Sequence, residues 1–345
     1  MAITLKDVAQ RAGVSRAAVS RTFTAGASVS ARTRAMVEVA AAELGYSPNM
    51  LARSLTTRKT QLIGLISNNF RNPVFLQIFD LFTRGLQEAG LRPLLVNLTD
   101  ETDPARSLSL LRQYSVDGVI VASSHLPDGF ALAFREAGMP VVHAFGRATG
   151  TVEVPVVGID NAHAGQMAAA ALVARGYRRI GFMGGPEAAS TTQDRLRGFQ
   201  NEASRAGIVA SVSFARDYSH EAGRVEMARL LAEGSAEAYF CGDDVLAIGA
   251  MAAARAAGRS VPGDIGVMGL NDMDIAGWAN IELTTIHQPF DAIAAGAIDL
   301  MRACLADPDR EPEARLYPCH LVERGTLRPL TQDPASAARQ GQKPG

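Results

Sequence analysis

Residues 4–21 read TLKDVAQRAGVSRAAVSR, and this stretch decides the fold of the N-terminal part of the chain. Thr4 is a suitable N-cap, and the apolar residues that follow it recur at helical spacing on one face. Gly13 tolerates the left-handed conformation of a tight turn and therefore ends the first helix. Ser15 caps a second helix over residues 16–23. Helix, glycine turn and helix together predict a helix-turn-helix.

The second helix of a helix-turn-helix presents its N-terminal residues to base edges in the major groove. In this sequence those residues are Arg16 and Ala17, and Arg21 lies about one turn further along. An arginine can donate two hydrogen bonds to one guanine, which contributes about 1–3 kcal/mol of discrimination between bases. The pattern therefore indicates that this part of the chain reads double-stranded DNA.

The charge of the chain is divided between its ends. Residues 1–60 carry nine basic and three acidic side chains, a net charge of +6, whereas the remaining 285 residues carry 25 basic and 32 acidic ones, a net charge of −7. A basic head on an acidic body indicates that only the head contacts a polyanion. A charged, solvated surface without a partner is the alternative, and the helix-turn-helix favours the polyanion.

A third helix and a short segment complete the head. Ser30 caps the third helix and Gly45 ends it, and one apolar stripe lies between them, at Val37, Ala40, Ala41 and Leu44. Pro48 precedes a segment of about two helical turns, residues 49–56, which is too short to be a stable helix in water by itself. This segment needs a partner helix, DNA or both.

Composition disfavours several classes of protein. No apolar run reaches the ~20 residues of a membrane span, and the N-terminus lacks the apolar stretch of a secretory signal. The cysteines, Cys241, Cys304 and Cys319, have no paired spacing, which argues against a disulfide framework and against a zinc site. We therefore expect a cytoplasmic protein that needs no metal, no cofactor and no membrane.

An enzyme and a periplasmic binding protein are two alternatives. The sequence contains no Gly-x-Ser-x-Gly elbow, Walker loop or His-Glu-x-x-His motif, and the turn at residues 184–186 lacks the spacing of a dinucleotide fingerprint. A periplasmic binding protein would need a signal peptide and would not carry a helix-turn-helix. The sequence disfavours both.

After Thr60 the pattern changes to alternating strands and helices. The predicted strands cover residues 62–66, 94–96, 118–121, 140–142, 179–183, 211–215, 238–241 and 265–269. The predicted helices cover residues 73–89, 104–113, 128–138, 161–175, 192–206, 220–233 and 244–257. Two such series predict two α/β lobes, with a ligand in the crevice at the carboxyl ends of the strands.

Motifs in both parts of the chain carry a family resemblance. In the head they are TLKDVA (4–9), AGVS (12–15), VSR (19–21), LGYSPN (44–49), ARSL (52–55) and IGLI (63–66). In the body they are VGIDN (157–161), RLRGF (195–199), CGDD (241–244) and LTTIHQP (283–289). The chain resembles the lactose-repressor (LacI/GalR) family of transcriptional regulators. The resemblance implies a helix-turn-helix head and a hinge helix, joined to an α/β two-lobed effector domain like a periplasmic binding protein.

The resemblance also implies a repressor that binds a palindromic operator as a dimer. The residues that would contact DNA are Thr4, Ser15, Arg16, Ala17, Ser20, Arg21, Asn49, Ala52, Arg53 and Leu55. By resemblance, residues 49–56 are the hinge helix, and Leu55 is the apolar wedge that enters the minor groove and kinks the duplex. Ordinary helix packing is the alternative role for Leu55.

The resemblance further implies an effector site in the body, formed by Asn72, Asp160, Arg195, Tyr218, Asp243 and Asn271. The arginine fork suits a pair of hydroxyls or a carboxylate, and the tyrosine ring would pack on the ligand. Asp243 and Asn271 reverse the asparagine and aspartate that many relatives carry at these positions. Asp243 could also simply cap the helix that follows it. His143 is expected to be structural.

The resemblance implies the following division of the chain. Residues 1–48 form the DNA-binding domain, 49–60 the hinge helix and linker, 61–160 with 290–318 the N-terminal lobe, 161–289 with 319–330 the C-terminal lobe, and 331–345 a disordered tail. The tail lacks leucine heptads, so a dimer is expected in place of a coiled-coil tetramer.

Several questions stay open from sequence. A sugar or sugar derivative is the expected effector, while nucleobases and other small polar metabolites are alternatives. A regulator that senses only a protein partner, and no small molecule, is a further alternative. Release of DNA by the effector and promotion of DNA binding are both alternatives, since both occur in the family that the chain resembles.

Overall fold

The structure is a computed structural model that describes residues 3–24, 26–47, 59–68, 70–98, 103–123, 126, 129–148, 152–234 and 236–330. The chain divides into two compact units, Met1–Thr60 and Gln61–Gly345, which we call the head and the body.

The described part of the head contains three helices: α1 (Leu5–Ala12), α2 (Arg16–Thr22) and α3 (Ala31–Leu44). Their apolar faces meet in a small core of Val8, Ala9, Ala12, Val19, Val37, Ala40 and Ala41. The observed helices agree with the sequence prediction to within one residue, because the caps and glycines that end each helix are local signals.

The capping groups of the head make the hydrogen bonds that their positions predict. Ser15 Oγ accepts a hydrogen bond of 3.2 Å from the Ala18 N–H at the start of α2. At α1, the Asp7 carboxylate accepts hydrogen bonds from both the N–H and the hydroxyl of Thr4, at 2.8 and 2.7 Å. The bond from the Thr4 hydroxyl holds the pKa of Asp7 below its ordinary value. Gly13 ends α1 in the left-handed conformation, at a φ of 67°.

A six-stranded parallel sheet forms what we call the first lobe of the body. Its strands are β1 (Leu62–Ser67), β2 (Arg92–Asn97), β3 (Gly118–Ala122), β4 (Val141–Ala144), β5 (Val156–Ile159) and β11 (Ala314–Tyr317). The strand order is β11-β5-β4-β3-β1-β2, and each neighbouring pair is parallel. The central strands are buried on both faces, as expected where helices cover a parallel sheet.

A second six-stranded sheet forms the second lobe. Its strands are β6 (Ile180–Gly184), β7 (Ser211–Phe214), β8 (Ala238–Cys241), β9 (Gly266–Asn271), β10 (Thr284–His287) and β12 (His320–Val322). The order is β12-β10-β9-β8-β6-β7, in which β12 runs antiparallel to β10 and the other neighbours are parallel.

Eight described helices accompany the two sheets. They are α4 (Val74–Glu88), α5 (Pro104–Gln113), α6 (Phe130–Glu136), α7 (Asn161–Ala174), α8 (Ser190–Arg205), α9 (His220–Glu233), α10 (Asp244–Ala256) and α11 (Phe290–Ala306). The largest apolar cluster of the body includes buried residues of both sheets, so the two lobes share one core.

The chain passes between the two sheets three times. It leaves the first sheet after Ile159, returns after His287 into α11, which packs on β3, β4 and β5, and leaves again between Tyr317 and His320. In sheets of this kind, ligands bind in the crevice at the carboxyl ends of the parallel strands. Polar residues that follow those ends can therefore converge between the two lobes.

The structure differs from the sequence expectation at several element ends. The strand predicted at 140–142 is Val141–Ala144, and the helix predicted at 128–138 is the shorter Phe130–Glu136. The prediction also contained no strand at 156–159, 284–287, 314–317 or 320–322 and no helix at 290–306. The last two strands are short, half exposed and carry no apolar stretch. The hinge segment 49–56 and the tail 331–345 lie outside the described residues.

Candidate functional site

The exposed face of α2 forms the first candidate site. Arg16, Ala17, Ser20 and Arg21 are all exposed, and Arg21 Nε donates a 3.4 Å hydrogen bond to the Ala17 carbonyl. Thr4 and Ser15 are exposed too, at the starts of α1 and α2. The four other residues predicted to contact DNA, Asn49, Ala52, Arg53 and Leu55, lie outside the described residues.

The second candidate site is a pocket between the two lobes of the body. It encloses about 530 Å³ of space that no protein atom fills, part of it open to solvent. Its lining consists of Asn72, Val74, Phe75, Ile78, Phe145, Ile159, Asn161, Thr191, Arg195, Tyr218, Asp243, Asn271, Gln288 and Phe290. Apolar side chains come mainly from the first lobe and polar ones mainly from the second, so one ligand would meet both kinds of surface.

Arg195 lies on α8 and is 7% exposed. Its Nε donates to Asn161 Oδ1 at 2.8 Å, and one terminal nitrogen donates to the Gly242 carbonyl at 2.7 Å. Gly165 on α7 makes this geometry possible, because a Cβ there would lie 2.0 Å from the Arg195 carbonyl oxygen. Within the described residues the other terminal nitrogen has no partner, so it can donate to a ligand.

Asp243 is both a helix cap and a pocket residue. One carboxylate oxygen accepts from the Val245 N–H at 2.6 Å, at the start of α10. The other oxygen accepts from Asn72 Nδ2 and from Asn271 Nδ2, each at 2.9 Å. Burial raises the pKa of Asp243, while the hydrogen bond from Asn72 opposes the rise. The carboxylate therefore holds two other pocket residues in place.

Tyr218 is 5% exposed, and its hydroxyl lies 2.7 Å from Thr192 Oγ1. Its ring covers Gly185, where a Cβ would come within 2.3 Å of the ring. Burial raises the pKa of the phenol, so the hydroxyl is protonated at neutral pH. The ring offers the pocket a flat apolar surface.

Asn271 ends β9 in an unusual backbone conformation, with a φ of 127°, and Asp272 follows at 58°. Hydrogen bonds from neighbouring residues stabilise this backbone conformation. The Asp244 carboxylate accepts a 2.8 Å hydrogen bond from the Met273 N–H, and a terminal nitrogen of Arg324 donates to Asp272 at 2.7 Å. Such strained backbone occurs at ligand sites that the surrounding structure fixes in place.

The structure brings five of the six predicted effector residues to this pocket, since only Asp160 is absent from the lining. Asp160 is exposed, and its carboxylate caps α7 by accepting a 2.9 Å hydrogen bond from the His163 N–H. Its neighbour Asn161 lines the pocket instead. His143 also lies outside the lining, and its Nε2 is 2.8 Å from the Ser123 carbonyl.

Nine of the described lining residues were not predicted from the sequence. The apolar ones, Val74, Phe75, Ile78, Phe145, Ile159 and Phe290, have the pattern of ordinary core residues. Gln288 stands inside a motif that was singled out, and its side-chain amide, 4% exposed, makes no hydrogen bond within the described residues. Thr191 Oγ1 is likewise buried without a partner there. These polar groups leave the pocket able to bind a polar ligand.

The described part of the chain offers neither a metal site of clustered side chains nor a membrane-spanning helix. No group of three or more His, Cys, Asp or Glu side chains there could hold a metal ion. No helix there is long and apolar enough to cross a membrane.

Comparison with known proteins agrees with this architecture. Residues 4–49 match the model of bacterial regulatory proteins of the lacI family, and residues 169–327 match that of a periplasmic binding protein-like domain. The HTH-type transcriptional repressor PurR of Proteus mirabilis (strain HI4320) is 33% identical over 332 residues, covering 94% of this chain and 96% of the relative. PurR of Escherichia coli O139:H28 is 34% identical over 331 residues, with the same coverage.

Solved structures show the same fold. A crystal structure of the lac repressor dimer bound to operator and the anti-inducer ONPF has a TM-score of 0.84 and 27% identity, covering 94% of this chain and 99% of the other. A complex of the transcriptional regulator CelR with cellobiose has a TM-score of 0.71 and 29% identity, with the same coverage. The chain belongs to the lacI family of bacterial regulatory proteins. It is a DNA-binding transcriptional repressor with an effector-binding domain and not an enzyme.

Proposed function

We propose that this repressor binds a palindromic operator as a dimer and that a small molecule in the pocket between its lobes controls the binding. The observation that carries the proposal is the set of buried polar groups in the pocket. The Arg195 guanidinium is aimed by two hydrogen bonds, and one terminal nitrogen is left for a ligand. The lac repressor relative was solved as a dimer on its operator with a small molecule, which supports the arrangement.

The pocket chemistry favours a small polar effector with an apolar face. Phe75, Phe145 and Phe290 contribute flat apolar surface, while Arg195 and Gln288 contribute hydrogen-bonding groups. A sugar or sugar derivative has both kinds of surface, and the CelR relative was solved with cellobiose. A nucleobase also has both an apolar face and hydrogen-bonding groups, so it is the alternative class of effector.

On the DNA side, Arg16 and Ala17 would read the operator bases at the exposed N-terminal end of α2. The head would sit in the major groove, and residues 49–60 would form the hinge helix and linker, with Leu55 as the minor-groove wedge. A regulator of DNA acts in the compartment that holds DNA, so we place this protein in the cytoplasm.

The pocket and the DNA would be coupled through the two lobes. We assign residues 61–160 with 290–318 to the N-terminal lobe, which is the first lobe, and 161–289 with 319–330 to the C-terminal lobe, which is the second. An effector that binds one relative arrangement of the lobes better than the other shifts the equilibrium between them. The same free energy then changes the affinity for the operator.

A thermal-stability screen of the purified protein tests the pocket. The panel holds sugars, sugar phosphates, nucleosides and nucleobases, each given to wild type, to Arg195→Ala and to Arg205→Ala. At about 100 times its dissociation constant, a ligand should add about 2.7 kcal/mol to the free energy of unfolding. We expect a hit that Arg205→Ala keeps and Arg195→Ala loses.

Arg205→Ala is the matched control because Arg205 lies on the same helix, α8, and pairs with Glu202 on the protein surface. A ligand that stabilises the wild type and Arg195→Ala equally would show that the compound binds elsewhere. That result would contradict the assignment of the pocket. A panel in which no compound stabilises the wild type would favour the alternative in which the body senses only a protein partner.

A further inference from the structure

Among the described residues, an ion pair joins the two lobes of the body. A terminal nitrogen of Arg147 lies 2.6 Å from Asp194 Oδ1. Arg147 stands in the segment between β4 and β5 of the first lobe, and Asp194 is on α8 of the second lobe, immediately before Arg195. The ion pair therefore spans the lobes next to the residue we assign to effector binding.

Asp194 has a second cationic partner that does not cross between the lobes. A terminal nitrogen of Arg197, one turn along the same helix, lies 2.7 Å from the same carboxylate oxygen. If the lobes part, Asp194 loses Arg147 and keeps Arg197. The Asp194 carboxylate, which is 7% exposed, would then still have a counter-charge. The main free-energy cost of breaking a buried ion pair is an uncompensated buried charge, and Arg197 avoids that cost.

Forming the ion pair leaves one donor of Arg147 without a hydrogen bond, which is unfavourable. Its Nε is buried and has no hydrogen-bond partner among the described residues, although the side chain as a whole is 29% exposed. A buried donor without a partner is unfavourable, and moving Arg147 into solvent would relieve it. This unpaired donor opposes the ion pair and lowers its net contribution to holding the lobes together.

A second contact between the lobes is of a different kind. Asn72 Nδ2 donates to Asp243 Oδ2 at 2.9 Å, and both side chains are buried, at 2% and 4% exposure. The same two side chains accept from backbone N–H groups, Asn72 from Val74 at 3.1 Å and Asp243 from Val245 at 2.6 Å. If the lobes part, the Asn72–Asp243 bond breaks and both side chains gain access to solvent. Solvent then also reaches the Val74 and Val245 amides that these side chains bind, so faster exchange of the two amides is the expected sign of parted lobes.

We propose that Arg147 and Asp194 form a latch that holds the lobes together beside the pocket and opens to admit the effector. The proposal rests on the proposed function of the pocket, and it adds a regulatory contact that is not part of the pocket lining. Because the pair is partly exposed to solvent, its strength falls as salt is added. The buried Asn72–Asp243 bond is screened much less.

Hydrogen–deuterium exchange of the full chain tests the latch without any effector. The variants are Arg147→Met, which keeps the length of the side chain and removes its charge, and Asp194→Asn. The matched control is Arg224→Met, since Arg224 pairs with Glu221 inside α9 and joins no lobes. Peptides carrying Val74 and Val245 are compared at low and at high sodium chloride.

At low salt we expect these peptides to exchange about two- to fivefold faster in Arg147→Met than in wild type or the control, the range expected for a partly exposed ion pair. High salt should speed exchange in wild type and the control and leave Arg147→Met almost unchanged. Asp194→Asn should behave like Arg147→Met, and the double variant should add nothing further.

Equal exchange in Arg147→Met and Arg224→Met, with the same salt response, would overturn the latch. If Arg147→Met fails to fold, the wild-type salt series and Asp194→Asn decide the matter in the same way. An inert latch would leave the thermal test of the pocket untouched. Conversely, a failed ligand screen would leave this measurement intact, so the two failures are distinguishable.

Discussion

At the scale of single residues, two adjacent carboxyl groups in the second lobe have different tasks. Asp243 faces the pocket and binds Asn72 and Asn271. Asp244 faces away, where it accepts a 2.5 Å hydrogen bond from the Thr285 hydroxyl and supports the strained turn after Asn271. Burial raises the pKa of Asp244 to about 7. One carboxyl group therefore shapes the pocket, and the other supports the backbone behind it.

The raised pKa of Asp244 makes stability depend on pH. A carboxyl group whose pKa is raised by folding stabilises the fold below its ordinary pKa, and that contribution is lost as the pH rises through the raised value of about 7. Between pH 8 and pH 5, wild type should therefore gain stability relative to Asp244→Asn. Urea unfolding of both proteins across this range measures the difference. A constant difference would show that Asp244 stays ionised throughout.

At the scale of elements, the packing of α7 on α8 positions the main polar group of the pocket. Gly165 and Gly198 let the two helices approach closely, since a Cβ at Gly198 would lie 1.8 Å from the Ala162 carbonyl oxygen. This close approach brings Arg195 on α8 within hydrogen-bond distance of Asn161 on α7. The two glycines thus act on the pocket through the spacing of the helices.

Gly165→Ala should separate the two helices. The added methyl group would meet backbone atoms, which cannot move aside as a flexible side chain could. We therefore expect the free energy of unfolding to fall by about 1–3 kcal/mol. Gly277→Ala is the control, because its nearest neighbour outside the local chain would be 3.7 Å away. Thermal or urea unfolding compares the two. An equal, small effect of both substitutions would contradict the close packing.

The sequence predicted elements best where a cap or a glycine marks their ends. The helices at Pro104–Gln113 and His220–Glu233 have the predicted bounds, because Asp103 and Ser219 are caps with their own hydrogen bonds. The strands at 314–317 and 320–322 could not be predicted, since only pairing with distant strands makes them regular. Such pairing leaves no local signal in a short, half-exposed run.

The pocket was predictable only in part, for a related reason. Polar residues at the ends of strands, such as Asp243 and Asn271, stand out because they interrupt an apolar run. Phe75 and Phe145 do not, because a pocket wall and a core have the same apolar pattern. Asp160 was predicted to contact the effector, but its side chain caps α7 at the surface. An aspartate before a helix can fill either role, so residue type alone does not distinguish a cap from a ligand contact.

At the scale of the whole molecule, two units of different chemistry share one chain. The head carries the basic charge and the exposed arginines of α2, whereas the body carries the acidic charge and the pocket. In a dimer, two heads meet DNA with two-fold symmetry, so the operator should be a palindrome. The lobes of the body would then pass the presence of an effector to both heads at once.

Selection of bound sequences from a random double-stranded DNA library, with wild type and with Arg16→Ala, tests this account most directly. We expect wild type to enrich one palindromic site. Arg16→Ala should relax the preference at one symmetry-related pair of positions, at a cost of about 1–3 kcal/mol in operator affinity. No enriched sequence, or an enriched site without two-fold symmetry, would contradict the account, and so would an unchanged preference in Arg16→Ala.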